Sequence, residues 1–266
     1  MPLKRFIKKL AAFLLPVGLI LALNRALRAL ASAGHHLQFL RQWRLAAQPP
    51  HSFDPFIELY WRWNLTRNPL SWERGIFGLL AMKPGCRLLD LCCGEGFYTQ
   101  RFYSGRAGSI IALDNNPDAI RHARRNFSAP NIEYRCGDIR TGMPEGPFDN
   151  ISWDAGIEYF TRDEIDGILS AVKARLTPGG ILSGYSVRSV DDAGQQMAAL
   201  GQKFGAPSRK ALYDVLGRFF RNVTILRTAH TDRYQERTNH YFFASDGALP
   251  FGENWPDLAR WDGSRP

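Results

Sequence analysis

Apolar residues in this chain fall into short continuous runs separated by longer stretches of helical pattern. Leu88-Leu89-Asp90-Leu91, Ile110-Ile111-Ala112-Leu113 and the segments 132–138 and 148–154 each close on a turn or a carboxylate, as strands buried in a sheet do. Between them, residues 117–127 open on Pro117 and carry Arg121, Arg124 and Arg125, and residues 161–176 open on a capping box of Thr161 and Glu164; both read as helices. Pro178-Gly179-Gly180 is expected to end the second of these helices. Alternation of this kind predicts a parallel, doubly wound sheet. Residues 222–228 and 240–245 break the alternation, because only a polar connection joins them and it is too short for a crossover helix, so they are expected to pair antiparallel. The expected class is α/β: a doubly wound, mostly parallel seven-stranded sheet with a C-terminal antiparallel hairpin, preceded by an N-terminal helical arm.

The first run breaks into Cys92-Cys93-Gly94-Glu95-Gly96. Gly94 and Gly96 let backbone N–H groups approach a ligand where Cβ atoms would obstruct. A dinucleotide fingerprint would need a third glycine, and Phe97-Tyr98-Thr99 stands in its place. The second run ends in Asp114, placed to accept hydrogen bonds from two ribose hydroxyls at the carboxyl edge of a parallel sheet. The third ends in Asp138, whose carboxylate can accept from an adenine amino group.

With these residues in order, the chain resembles the class I S-adenosylmethionine-dependent methyltransferases. The resemblance continues through Phe148-Asp149-Asn150-Ile151-Ser152-Trp153-Asp154 and Leu176-Thr177-Pro178-Gly179-Gly180 and covers roughly residues 75–245. It implies S-adenosyl-L-methionine as cofactor. The cofactor set it implies is Asp90, Cys92, Gly94, Gly96, Asp114 with Asn115, Asp138 with Ile139, and Asp154, of which Asp90 and Asp154 serve the methionine part. Cys92 departs from the pattern, standing where the family most often has the first glycine of D-x-G-x-G-x-G.

Charge changes the picture only at one end. The formal net charge is +9, yet residues 1–53 hold eight Lys and Arg and no Asp or Glu, leaving 26 basic against 25 acidic residues, or +1, for the rest. A near-neutral body argues against a nucleic-acid track, which needs a concentrated basic footprint. The four cysteines, Cys86, Cys92, Cys93 and Cys136, lack zinc spacing and read as buried reduced thiols, so no metal site is expected.

Residues 10–23 are uncharged, flanked by Lys4, Arg5, Lys8 and Lys9 before and Arg25 after. As a helix they span about 21 Å, short of a hydrocarbon core of roughly 30 Å. The favoured reading is an anchor lying in the membrane interface; a spanning anchor, a core or partner helix and a cleaved signal are the alternatives. The expected partitioning is an arm over 1–50 with a membrane contact through 1–34, an aromatic segment over 51–75, the methyltransferase domain over 76–247 and a tail over 248–266. In the aromatic segment Asp54 caps a helix whose Phe56, Tyr60 and Trp63 share one face, either packing in the core or covering the site.

The acceptor is less determined. Methyl transfer needs alignment first and a base only for acceptors such as hydroxyls, for which Glu158 and His240 are the candidates. The sequence Asp154-Ala155-Gly156-Ile157 lacks the N/D-P-P-Y/F signature of amino-group methyltransferases acting on bases or glutamine. The expected acceptor is therefore a small molecule, a glycan or a lipid-linked intermediate, with O-methylation favoured, at the cytoplasmic face of the membrane; nucleic acid is not expected. Two alternatives stay open: another transferase on the same scaffold, such as an aminopropyl transferase, and a silent cofactor-binding interaction module.

Overall fold

The computed structural model describes residues 17–39, 70–189, 208–231 and 236–249. Two compact units emerge, Met1–Tyr60 and Trp61–Pro266. In the first, helix α1 spans Val17–Phe39, so the helix continues through Arg25 and Arg28 well beyond the uncharged run. Among the described residues no helix is long and apolar enough to cross a membrane. Lys4, Arg5, Lys8 and Lys9, and the aromatic face of Phe56, Tyr60 and Trp63, lie outside the described residues.

The second unit is built on one seven-stranded sheet of order β3-β2-β1-β4-β5-β7-β6. Its strands are β1 (Arg87–Leu91), β2 (Ser109–Asp114), β3 (Ile132–Cys136), β4 (Phe148–Asp154), β5 (Leu176–Ser189), β6 (Asn222–Thr231) and β7 (Glu236–Ser245). The first five run parallel, and β7 enters antiparallel between β5 and β6. The helices are α2 (Leu70–Ala81), α3 (Pro117–Asn126), α4 (Arg162–Arg175) and α5 (Arg209–Leu216). α2 runs across the expected boundary at residue 75, so residues 70–75 belong to the same helix as the start of the methyltransferase domain.

Helices cover both faces because the central strands are apolar on both. On one face Leu89, Leu91, Ile151 and Trp153 pack against Ile165, Leu169 and Val172 of α4 and Leu212 and Leu216 of α5. On the other, Leu88, Ile110 and Ala112 meet Ile120 and Ala123 of α3, while Ile181, Tyr185 and Tyr241 meet Ala81 of α2. Each such large side chain contributes about 1.5–3 kcal/mol on burial.

α3 and α4 start as the sequence predicts. Asn116 accepts from the Asp118 and Ala119 N–H groups, and Thr161 and Glu164 form the reciprocal capping box. The end of α4 differs. The helix stops at Arg175 because Leu176 turns extended (φ −80°, ψ 143°) to pair with Phe148, and Pro178-Gly179-Gly180 falls inside the bulged start of β5 and does not end the helix. The hairpin strands are also longer than expected. His240 therefore sits within β7, opposite Ser186 of β5 and Arg227 of β6, and not beside the turn.

Candidate functional site

The carboxyl ends of β1, β2 and β4 converge on the loop after β1. Cys92, Gly94 and Gly96 all take left-handed backbone, with φ of 57°, 56° and 82°. Gly96 has no room for a Cβ, which would lie 2.5 Å from the Tyr134 hydroxyl oxygen; a Cβ on Gly94 would meet nothing within 4 Å. The loop is thus packed from below and open at Gly94. Cys92 carries a strained conformation for a non-glycine residue, and its thiol lies against Gly156: a Cβ there would be 2.9 Å from Cys92 Sγ and 2.5 Å from Trp153 Nε1. Burial pushes the Cys92 thiol well above its ordinary range, so it is a packing group and not a nucleophile.

Asp114 fixes the loop. Its Oδ2 accepts the Gly94 N–H at 2.9 Å and its Oδ1 accepts the Asn116 N–H at 2.9 Å, which uses about half of a carboxylate's four acceptor positions. Asn115, beside it, is exposed, and its carbonyl accepts from the Cys136 thiol at 3.8 Å. Cys136 is itself exposed, against the expectation of four buried thiols, because it ends β3 at the open edge. Asp138 is held by Arg140, whose guanidinium and backbone N–H both donate to it; these hydrogen bonds keep its carboxyl below the usual range. Arg140 bridges on to Glu164 at 2.6 Å. Ile139 turns the other way, into the core against α4's face, so its side chain is not on the open edge.

Beneath the loop Asp90 is buried, and its Oδ2 accepts the Thr99 hydroxyl at 2.5 Å. Burial pushes its carboxyl up to about 7, opposed by the Thr99 hydrogen bond and helped by the charge of Asp154. Thr99 begins a wide π turn, Thr99–Tyr103, closed by the Ser104 N–H on the Thr99 carbonyl.

Asp154, 5% exposed, receives Arg74 Nε at 3.2 Å and the Tyr103 hydroxyl at 2.9 Å. The Arg74 guanidinium also lies over the Tyr98 ring, 4.1 Å from its centroid. Burial opposes the arginine's charge, but Asp154, Tyr98 and Tyr103 outweigh it and raise its pKa further. Only Nε of Arg74 is engaged in a hydrogen bond among the described residues. The preceding residue, Glu73, accepts the Thr228 hydroxyl at 2.8 Å and the Tyr241 hydroxyl at 3.1 Å, so two adjacent side chains fasten α2 to β4 and to the hairpin. Arg74, Tyr103 and Thr99 escaped the sequence reading; Arg74 and Tyr103 lie 80 and 51 positions from the carboxylate they serve, and no spacing rule connects them.

The two candidate bases are both buried, Glu158 in the turn Ile157–Tyr159 after β4 and His240 on β7. Strand alternation puts His240 on the face shared with Phe242 and Ala244, toward α4 and α5, whereas Asp154 meets α2.

Residues 88–180 match the family model described as "Methyltransferase domain". Over this segment the chain is similar to methyltransferase domains, and the strand order of the whole second unit is that of the Rossmann-like methyltransferase fold. An uncharacterised methyltransferase of Synechocystis is 34% identical over 106 residues, covering 39% of this chain and 48% of that protein. A tRNA U34 carboxymethyltransferase of Haemophilus influenzae is 26% identical over 216 residues, covering 76% of this chain and 64% of that protein. The chain thus spans about half to two thirds of these relatives' length. Among solved structures, the N-methyltransferase NodS of Bradyrhizobium japonicum with S-adenosyl-L-homocysteine superposes with a TM-score of 0.54 at 17% identity, covering 79% of this chain and 98% of that one.

Proposed function

We propose that this protein transfers a methyl group from S-adenosyl-L-methionine to a small-molecule, glycan or lipid-linked acceptor, through a hydroxyl. The observation that carries the cofactor assignment is the clasp of Asp114 on the Gly94 N–H: it holds the open side of a glycine cradle next to a carboxylate with acceptor positions to spare. Asp114 would take the ribose hydroxyls, Gly94 the close approach of the ligand and Asp138 the adenine amino group, exchanging part of its contact with Arg140. The amino-acid end of the cofactor carries one carboxylate and one ammonium. Arg74, with its two Nη groups uncommitted among the described residues, suits the first, and Asp90 and Asp154 suit the second.

When bound, the sulfonium supplies an electrophilic methyl group for in-line displacement. The protein's part is alignment, which can contribute several kcal/mol. Glu158 is the candidate to take the acceptor's proton; His240, turned toward α4 and α5 and away from Asp154, is not assigned that role.

The test is ligand stabilisation followed by turnover. S-adenosyl-L-homocysteine at about 100 times its dissociation constant should add roughly 2.7 kcal/mol and raise the melting temperature by about 5–10 °C, while NAD should do nothing. A larger shift with NAD, or none with either, would remove the cofactor assignment. A second acceptor, tRNA, is favoured by one observation: the relatives that cover most of this chain bear the name tRNA U34 carboxymethyltransferase. Mass spectrometry of a deletion strain separates the two, since loss of a modified tRNA nucleoside supports tRNA and loss of a methyl group from a metabolite, glycan or lipid supports the first reading.

A further inference from the structure

We infer that α1 lies flat on an anionic lipid surface, its leucine face in the headgroup boundary and its arginine face toward the headgroups and water. This rests on the first unit alone and stands apart from the enzymatic reading. At 100° per residue, Leu19, Leu23, Leu27, Leu30 and Leu37 fall within an arc of about 80°, and Arg25, Arg28 and Ser32 fall on the opposite side, interrupted there by one leucine, Leu21. These five leucines are between 46% and 69% exposed, a row that a water-soluble helix would bury against a partner.

Charge decides what the partner is. Residues 1–53 contain eight basic residues and no acidic one. A second copy of the same helix would bring these charges together without a single carboxylate to offset them, whereas phosphate headgroups neutralise them at about 1 kcal/mol per residue, or about five-fold in binding. The two arginines within the helix, and its polar face, argue for lying on the bilayer and against crossing it, in keeping with the absence of a membrane-spanning helix among the described residues.

The experiment is flotation of the full chain with vesicles of phosphatidylcholine alone or mixed with phosphatidylglycerol. Binding is expected only with phosphatidylglycerol and should fall steeply in 1 M salt, where the screening length shrinks to about 3 Å. The triple change Leu23→Ala, Leu27→Ala, Leu30→Ala keeps helix propensity while removing apolar area, and should weaken partition by more than about a hundredfold. Arg25→Gln with Arg28→Gln should weaken it roughly 25-fold at low salt. Equal binding to both vesicle types, no binding, or a triple variant that floats like the parent overturns the inference. So does binding that resists salt and yields only to detergent, which would mean a spanning helix. Sedimentation showing a dimer that the leucine changes dissolve, without vesicle binding, would assign the face to a second copy and overturn it as well.

Discussion

The carboxyl edge of the sheet is held together differently at its two ends. Around β1 and β2 the contacts link residues no more than 20 positions apart and most use backbone N–H donors: Gly94 N–H on the Asp114 carboxylate, Cys93 N–H on the Leu113 carbonyl, Gly96 N–H on the Cys93 carbonyl, beside the Thr99 hydroxyl on Asp90. Around β4 and β7 they are side chains from distant segments, Arg74 on Asp154 and Glu73 on Thr228 and Tyr241, separated by 80, 155 and 168 positions. The first end is a local shape, formed once two neighbouring strands pair. The second exists only when α2, β4 and the hairpin are all in place, and it places charge where water is scarce. One end is therefore suited to reading a ligand, the other to making the site depend on the whole unit.

This contrast is most exposed to Asp154→Ala, which leaves Arg74 without its counter-charge and the Tyr103 hydroxyl without its acceptor. A loss of about 3–5 kcal/mol is expected, seen by calorimetry as a melting temperature lower by roughly 10 °C. Replacing all three partners, Arg74→Met and Tyr103→Phe with Asp154→Leu, should restore most of it. A single change costing under about 1 kcal/mol would mean that the two ends do not differ.

Asp90 lies between the two ends and gives a pH signature. Burial lifts its folded pKa to about 7, above the ordinary carboxyl value of 3.8, so the folded state holds a proton that the unfolded state has released over this window. Its contribution is full below about pH 4 and is lost as pH rises to about 7. Asp90→Asn should flatten that slope and gain about 2–4 kcal/mol at pH 8, while weakening cofactor binding. Urea titrations at pH 5 and pH 8 check it; an unchanged slope would place the ionisation elsewhere.

For Asp114→Ala the expected loss is in affinity, 10- to 100-fold for S-adenosyl-L-homocysteine by calorimetry, from about 1.5–3 kcal/mol of charge-assisted hydrogen bonding. Smallest is Glu73→Gln, which keeps an acceptor for Thr228 and Tyr241 but not the charge. About 1 kcal/mol of stability should go, with cofactor affinity moving less than about two-fold.

The strands, the glycine cradle and the carboxylates ending β1, β2 and β4 were legible because each depends on residues within one strand–turn unit. Thr161 and Glu164 were legible for the same reason. The end of α4 was not: Pro178-Gly179-Gly180 has the local chemistry of a helix stop, but Leu176 is drawn away earlier by pairing with Phe148. His240 was misplaced because both hairpin strands extend through polar residues that show no apolar run. Arg74 and Tyr103 were invisible, since their meaning lies in a partner that only the fold supplies.

The fastening of α2 bears on how such a domain can be inherited. The segment a family model recognises, residues 88–180, omits Glu73, Arg74 and both strands of the hairpin. Moved alone into another protein, it would carry Asp154 without a counter-charge and a sheet missing its last two strands. A cassette that keeps these contacts must therefore carry Glu73, Arg74 and the hairpin along with residues 88–180, so the segment the family model matches is shorter than the segment that must travel together.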